Sequence, residues 1–167
     1  MKGEHIYLVG FMGSGKSTVG PMLAELLQRE FVDLDDRIVE RARKSIAEIF
    51  EDQGEHEFRR LESACLKQVA KRPGAVVALG GGALESEENR ETIARSGRRL
   101  WLKVDLEEAW NRCRKNSARP LARSRSEFEL RFRLRKPLFG DCEWEVETTG
   151  ATPEEVSRRI FRLIVEN

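Results

Sequence analysis

An α/β fold, a three-layer sandwich with a parallel sheet between two helical layers, is what this sequence predicts, and three observations carry that expectation. Short, nearly continuous apolar runs such as His5–Val9 (HIYLV) and 75–79 (AVVAL) have the length of strands buried on both faces. They alternate with longer segments whose apolar residues recur at helical spacing, the pattern of a parallel sheet with helical crossovers. A glycine-rich turn, GFMGSGKS at 10–17, stands between the first strand and the first helix. In open sheets of this kind ligands bind beyond the carboxyl ends of the strands.

The elements follow in order. The first helix is expected over 16–29, with Val19, Leu23, Leu26 and Leu27 on one face and Pro21 early, where a missing N–H costs least. Residues 31–33 form a second short strand, and 35–44 a charged helix. Ser45 and Glu48 make a capping box that opens SIAEIF. A further helix over about 55–71 carries Phe58, Leu61, Cys65 and Val69 on one face and stops at Pro73-Gly74. The third strand, 75–79, runs into Gly80-Gly81-Gly82, and 85–96 is helical. The fourth strand spans 99–104, and Asp105 with Glu108 opens a helix to about Arg114. Residues 117–126 form a polar, Arg-rich loop, and 126–136 a helix ended by Pro137. Residues 143–148 alternate as an edge strand does. Thr152-Pro153-Glu154-Glu155 then opens the last helix, combining a capping box with proline at the first helical position.

Composition narrows the function. The 167 residues amount to one domain, 1–167, long enough to bury a core without staples. Thirty basic residues face 29 acidic ones, for a net charge of +1, which argues against a nucleic-acid partner. No apolar run approaches the roughly 20 residues of a membrane span, and the start lacks a signal-peptide core. Cys65, Cys113 and Cys142 are odd in number and far apart, which fits a reducing cytoplasm better than a disulfide framework. With only His5 and His56, a histidine metal centre is nearly excluded.

The turn at 10–17 fits G-x-x-x-x-G-K-[ST] and has the strand-before, helix-after context that the chemistry requires. Gly10, Gly13 and Gly15 let the backbone curl so that successive N–H groups point inward. With the positive helix end they form an anion nest for a nucleoside triphosphate. Lys16 reaches the β- and γ-phosphates, and the Ser17 hydroxyl serves Mg²⁺. The turn does not say what the nucleotide is used for.

Four further groupings bear on that question. Asp33 and Asp35 leave the second strand. They would share one side if the strand continued, one supporting Mg²⁺ and the other accepting a proton from an attacking hydroxyl. Equally, they could be helix N-terminal acids, with Asp35 or Asp36 as the cap. Three successive glycines, Gly80 to Gly82, allow close backbone approach to a ligand where a plain turn would need one. Arg59 and Arg60 lie in GEHEFRR, where Glu57 and Glu62 are plausible local partners. Between Arg112 and Lys136 ten basic residues meet only two acids, a local excess that suits a polyphosphate clamp or lid.

Taken together, GFMGSGKSTVG, FVDLDD, SIAEIFEDQGEHEFRRLE, VVALGGGA, ARPLA and LRKPLF resemble the shikimate kinase family, in its order and near its spacing, over essentially the whole chain. The resemblance implies a five-stranded parallel sheet of order 2-3-1-4-5, with a substrate-binding helical segment at about 34–62 and a lid at about 112–126. It implies transfer of the γ-phosphate of ATP to the 3-hydroxyl of shikimate, with Mg²⁺, by a cytoplasmic monomer. Lys16, Asp35 and Arg119 then match catalytic positions. Gly13, Ser14, Gly15, Lys16, Ser17, Thr18, Arg112 and Arg119 match the ATP site, Arg112 as the arginine against adenine. Asp35, Arg59, Gly81 and Arg135 match the shikimate site, the two arginines holding its carboxylate. Ser17 and Asp33 match the metal positions.

The sequence departs from the family pattern at Phe139, where tyrosine is usual, at Ala151, where some members carry arginine, and at Met12 in the loop. A gluconate-type kinase shares the loop but does not predict GEHEFRR with GGGA. A nucleotide-binding regulator without transfer predicts a missing acid or lid arginine. A nucleic-acid-linked ATPase fits neither the charge nor the length.

Overall fold

In the computed structural model, which describes residues 3–115 and 124–166, five parallel strands form one sheet among the described residues. The strands are β1 (His5–Val9), β2 (Phe31–Asp33), β3 (Val76–Ala78), β4 (Gly97–Lys103) and β5 (Trp144–Glu147). Their order is β2-β3-β1-β4-β5, every neighbouring pair parallel, as expected. The helices are α1 (Lys16–Leu27), α2 (Leu34–Ala42), α3 (Ile46–Val69), α4 (Glu87–Ser96), α5 (Leu106–Arg114), α6 (Arg125–Arg135) and α7 (Pro153–Val165).

The two-residue period of the strands divides the core. Ile6 and Leu8 of β1 face one way and pack with Val76, Leu100, Leu102 and Val146 against α1 (Val19, Leu23) and α7 (Val156, Ile160, Ile164). Tyr7, Val9 and Val77 face the other way, toward Leu34 and Ile38 of α2, Phe58, Leu61 and Leu66 of α3, and Phe128 of α6. All five residues of β1 are buried, which is why the central strand reads as a continuous apolar run.

Most boundaries fall where the sequence places them, and the differences have local causes. Strand β2 stops at Asp33 and does not carry Asp35 onto its own side. Asp33 is the N-cap of α2, its carboxylate accepting the Asp35 N–H at 3.0 Å, so neither Asp35 nor Asp36 is the cap. The two helices expected on either side of residue 54 run together as α3 with a kink at Gly54 (φ 77°), a left-handed conformation natural to glycine. The segment expected to be one helix over 85–96 begins instead with a single 3-10 turn, Ala83–Glu85. It breaks at the extended Ser86, which caps α4. Trp101 of β4 is half-buried against the core. Residues 116–123 of the lid expected at 112–126 lie outside the described residues.

His5 is almost fully enclosed in β1, and its Nδ1 accepts the Ala75 N–H at 3.0 Å. Burial holds its pKa below the ordinary 6.5, with the nearby Arg29 charge acting the same way against weaker backbone hydrogen bonds. A depressed histidine pKa means that the unfolded chain takes up the proton first. Its stabilising contribution is therefore complete above 6.5 and is lost as pH falls from there through the folded-state value. Thermal melts between pH 7.5 and pH 5.5 are expected to show this loss. His5→Asn, which keeps an acceptor but does not titrate, should flatten the slope. Parallel slopes for the two proteins would place the acid sensitivity elsewhere.

Candidate active site

All five strands end at one edge, and the described residues that match the site gather there. The turn after β1 holds Gly10 (φ 147°), Gly13 (φ 82°) and Gly15 (φ 96°) in left-handed backbone. A side chain at Gly10 would meet the Leu102 carbonyl at 2.6 Å, and one at Gly13 the Ala109 carbonyl at 2.8 Å, so the loop has no room for one at either position. Ser14, within the same turn, is fully buried.

Helix α1 starts at Lys16 with no side-chain cap and no acid in its first turn. Each of the other six α-helices of the described residues begins with a side-chain cap, from Asp33, Ser45, Ser86, Asp105, Ser124 and Thr152. A missing cap ordinarily costs ~1 kcal/mol. Here it leaves the positive end of α1 open to an external anion, although the Thr18 N–H already donates to the Gly15 carbonyl at 3.1 Å. The Lys16 ammonium folds back over the loop, donating to the Gly10 carbonyl at 2.7 Å and the Phe11 carbonyl at 3.2 Å.

The Ser17 hydroxyl donates to Asp33 Oδ2 at 2.7 Å. A hydroxyl and a carboxylate meeting beside a phosphate nest are hard oxygen donors, the set that suits Mg²⁺, so the residues fit that ion. Asp33 thus does two things: one oxygen caps α2 and the other faces Ser17.

Beside this loop lies a second cluster, built from three distant parts of the chain. Arg59 of α3 reaches the glycine turn after β3 so closely that a side chain at Gly82 would begin 2.4 Å from its Nη2. Arg135, the last residue of α6, comes within 3.4 Å of the same point at Gly81. From that point the backbone nitrogen of Met12 is 3.9 Å away, which places the cluster next to the phosphate loop. The Asp35 carboxylate approaches Gly80, its Oδ1 3.3 Å from where a side chain there would start. The three glycines therefore serve close approaches by Glu62 and Asp35 at Gly80, by Arg135 at Gly81 and by Arg59 at Gly82.

Two acids complete the cluster. Glu62, with a side chain only 1% exposed, pairs with Arg59 (Nη1 to Oε2, 2.9 Å). Its Oε1 has no hydrogen-bond partner among the described residues. Burial pushes the Glu62 pKa up, opposed by the Arg59 pairing and reinforced by the negative charges of Asp35 and Glu85. For Arg59, burial works against the cation, but Glu62, Glu85 and Glu55 outweigh it and the pKa is raised. Glu85, at the end of the 3-10 turn, accepts from Arg135 Nε at 2.8 Å and lies 4.0 Å from Arg59 Nη2. Glu62 stands three residues after Arg59, a helical spacing that flags it as a partner. Glu85 carries no local signal, because its partners are distant in sequence.

On the other flank, Arg112 of α5 donates to the Gly13 carbonyl at 3.0 Å and the Thr148 carbonyl at 3.0 Å, and pairs with Glu108. It ties the phosphate loop to the segment after β5. Phe139, one of the departures, is buried with its ring 5.8 Å from that of Trp101. It borders a cavity of about 250 Å³ with Phe11, Phe132 and Lys136. Arg119 lies outside the described residues. Thus Gly13 to Thr18, Asp33 and Arg112 form one group, and Asp35, Arg59, Gly81 and Arg135 a second group beside it.

The family model for shikimate kinase matches residues 12–165. The chain belongs to the shikimate kinase family. A shikimate kinase of Persephonella marina is 38% identical, over 95% of this chain and 97% of that protein. One from Geobacter sulfurreducens is 39% identical, over 99% and 93%. Among solved structures, shikimate kinase from Acinetobacter baumannii in complex with shikimate superposes with a TM-score of 0.93 at 35% identity, covering 98% of this chain and 94% of that one. A gluconokinase from Sinorhizobium meliloti has a TM-score of 0.71 but only 19% identity, a likeness of fold alone.

Proposed function

We propose that this shikimate kinase family member transfers the γ-phosphate of ATP to the 3-hydroxyl of shikimate. The observation that carries the reading is the convergence of Arg59, Arg135, Asp35 and the Gly80–82 turn on one small volume beside the phosphate loop. Shikimate is a small carboxylate with three hydroxyls. Two guanidinium groups suit its carboxylate, and a carboxylate and exposed backbone N–H groups suit its hydroxyls.

In this reading the loop N–H groups and the α1 terminus hold the triphosphate, and Lys16 leaves its carbonyl partners for the β- and γ-phosphates. Ser17 and Asp33 would hold Mg²⁺, which when bound offsets phosphate charge. Arg112 lies against the adenine, and the family likeness assigns Arg119 a role at the phosphates. Arg59 and Arg135 fix the acceptor by its carboxylate, and the Gly81 N–H donates to one of its hydroxyls. Asp35 takes the proton of the 3-hydroxyl as its oxygen bonds to the γ-phosphorus. The bond from that phosphorus to the β-phosphate oxygen breaks, and ADP leaves. Transfer through a loose transition state depends mainly on positioning and positive charge, so no strong nucleophile is needed.

The cytoplasm as location is supported by three free cysteines, and no described helix is long and apolar enough to cross a membrane. A monomer is supported by the scatter of exposed large apolar side chains, Leu26, Val39, Leu130, Leu134 and Val165, over four helices.

Arg59→Ala separates the two halves of the site. Shikimate affinity is expected to fall about 100-fold, the loss of a charge-assisted pair. The Kd for ATP should stay within a factor of two, measured by calorimetric titration of each ligand. Equal losses for both ligands would remove Arg59 from the acceptor site.

A further inference from the structure

The site holds more negative charge than an anion-binding cradle needs. Arg59 and Arg135 are surrounded by Asp35, Glu62 and Glu85, and Glu55 also pairs with Arg59 at 3.2 Å. Most of these acids have another evident task. Asp35 sits at the acceptor hydroxyls, and Glu62 is the buried partner that holds Arg59. Glu85 is different. One of its oxygens takes Arg135 Nε at 2.8 Å, and the other faces Arg59 Nη2 at 4.0 Å. A single carboxylate therefore spans both guanidinium groups, the arrangement expected of the carboxylate of a bound acceptor. Among the described residues, Glu85 is also the acid paired with Arg135, whose side chain is only 14% exposed.

We infer that Glu85 is an internal stand-in for the substrate carboxylate, occupying the arginine pair in the free enzyme and displaced when a carboxylate ligand arrives. The inference rests on the proposed reading of Arg59 and Arg135 as the carboxylate site. The local backbone suits such an exchange. Glu85 N–H donates to the Gly82 carbonyl at 3.0 Å, and Arg90 holds the Leu84 and Glu85 carbonyls at 2.7 and 3.2 Å. The Glu85 side chain is 42% exposed. Its carboxylate can swing into solvent by side-chain rotation while the turn stays in place. Without it, Arg135 would lose its acid partner among the described residues and face Arg59, which Glu62 still pairs, across the cradle; with it, both guanidinium groups stay positioned. The consequence is selectivity. A neutral ligand cannot replace Glu85 on the arginines, whereas a carboxylate exchanges like for like.

The test compares the intact enzyme with Glu85→Gln and Glu85→Ala. Shikimate and its methyl ester are titrated by calorimetry, and shikimate and ATP are varied in steady-state kinetics. A displaced, partly exposed ion pair is worth up to about fivefold in affinity. The KM and Kd for shikimate are therefore expected to fall about three- to fivefold in both variants. The effect should lie in KM rather than kcat, with the KM for ATP unmoved and the weak affinity for the methyl ester unchanged. Unchanged or weaker shikimate affinity would overturn the inference and make Glu85 a support for the arginines. An equal gain for the ester would overturn it as well. Arg59→Ala and Arg135→Ala distinguish the two levels. If neither weakens shikimate, the carboxylate reading itself fails. If both do and the Glu85 variants gain nothing, only the role of Glu85 fails.

Discussion

Lys16→Ala is expected to lower kcat about 10²- to 10³-fold, the usual consequence of removing one preorganised positive donor from a site where charge develops. The loop itself should survive the change. Its curl is set by Gly10, Gly13 and Gly15 in left-handed backbone and by the fit of Gly10 and Gly13 against the Leu102 and Ala109 carbonyls. Those features do not involve the lysine side chain. The ammonium binds the Gly10 and Phe11 carbonyls in the free chain, and losing these part-buried bonds costs on the order of 1 kcal/mol. Circular dichroism and melting temperature should change little while turnover collapses. A variant with kcat within a factor of ten would show that the α1 terminus and the loop N–H groups suffice.

Asp35→Asn is expected to cut kcat about 10²-fold or more, the usual contribution of a positioned general base. It should leave the Kd for ATP within a factor of two. The structure makes this substitution clean. Asp33, not Asp35, caps α2, so the helix start does not depend on the Asp35 carboxylate, and asparagine keeps its shape. The Asp35 backbone N–H that Asp33 accepts is present in either residue. Steady-state kinetics with shikimate and ATP varied separately decides the point. An unchanged kcat would reduce Asp35 to a helix N-terminal acid.

The strands and the phosphate loop were legible because each rests on local pattern. HIYLV is apolar because β1 is the central strand, buried on both faces, and GFMGSGKS reads as a turn, with Gly10 and Gly13 packed against backbone. The capping boxes at Ser45 and Thr152 form as their spacing requires. The order 2-3-1-4-5 came from family likeness, since periodicity does not rank strands across a sheet. Asp33 misled because period-two reasoning extends a strand until something stops it. What stopped this one was its own last residue turning to cap the next helix. In the sequence Arg59 shows only local acidic partners; its meaning depends on Arg135 and Gly82, which only the folded chain brings near. Glu85 was invisible for the same reason, as its partner Arg135 lies 50 residues away.

The central claim is that one edge of the sheet joins a phosphate donor to a specific carboxylate acceptor. The most direct test is ADP formation from Mg-ATP with shikimate, quinate, gluconate or no acceptor, with the phosphorylated position assigned by NMR. The account predicts a rate with shikimate well above the others, with phosphate on the 3-hydroxyl. No rate above background with any acceptor while ATP still binds, or a faster rate with gluconate, would contradict it.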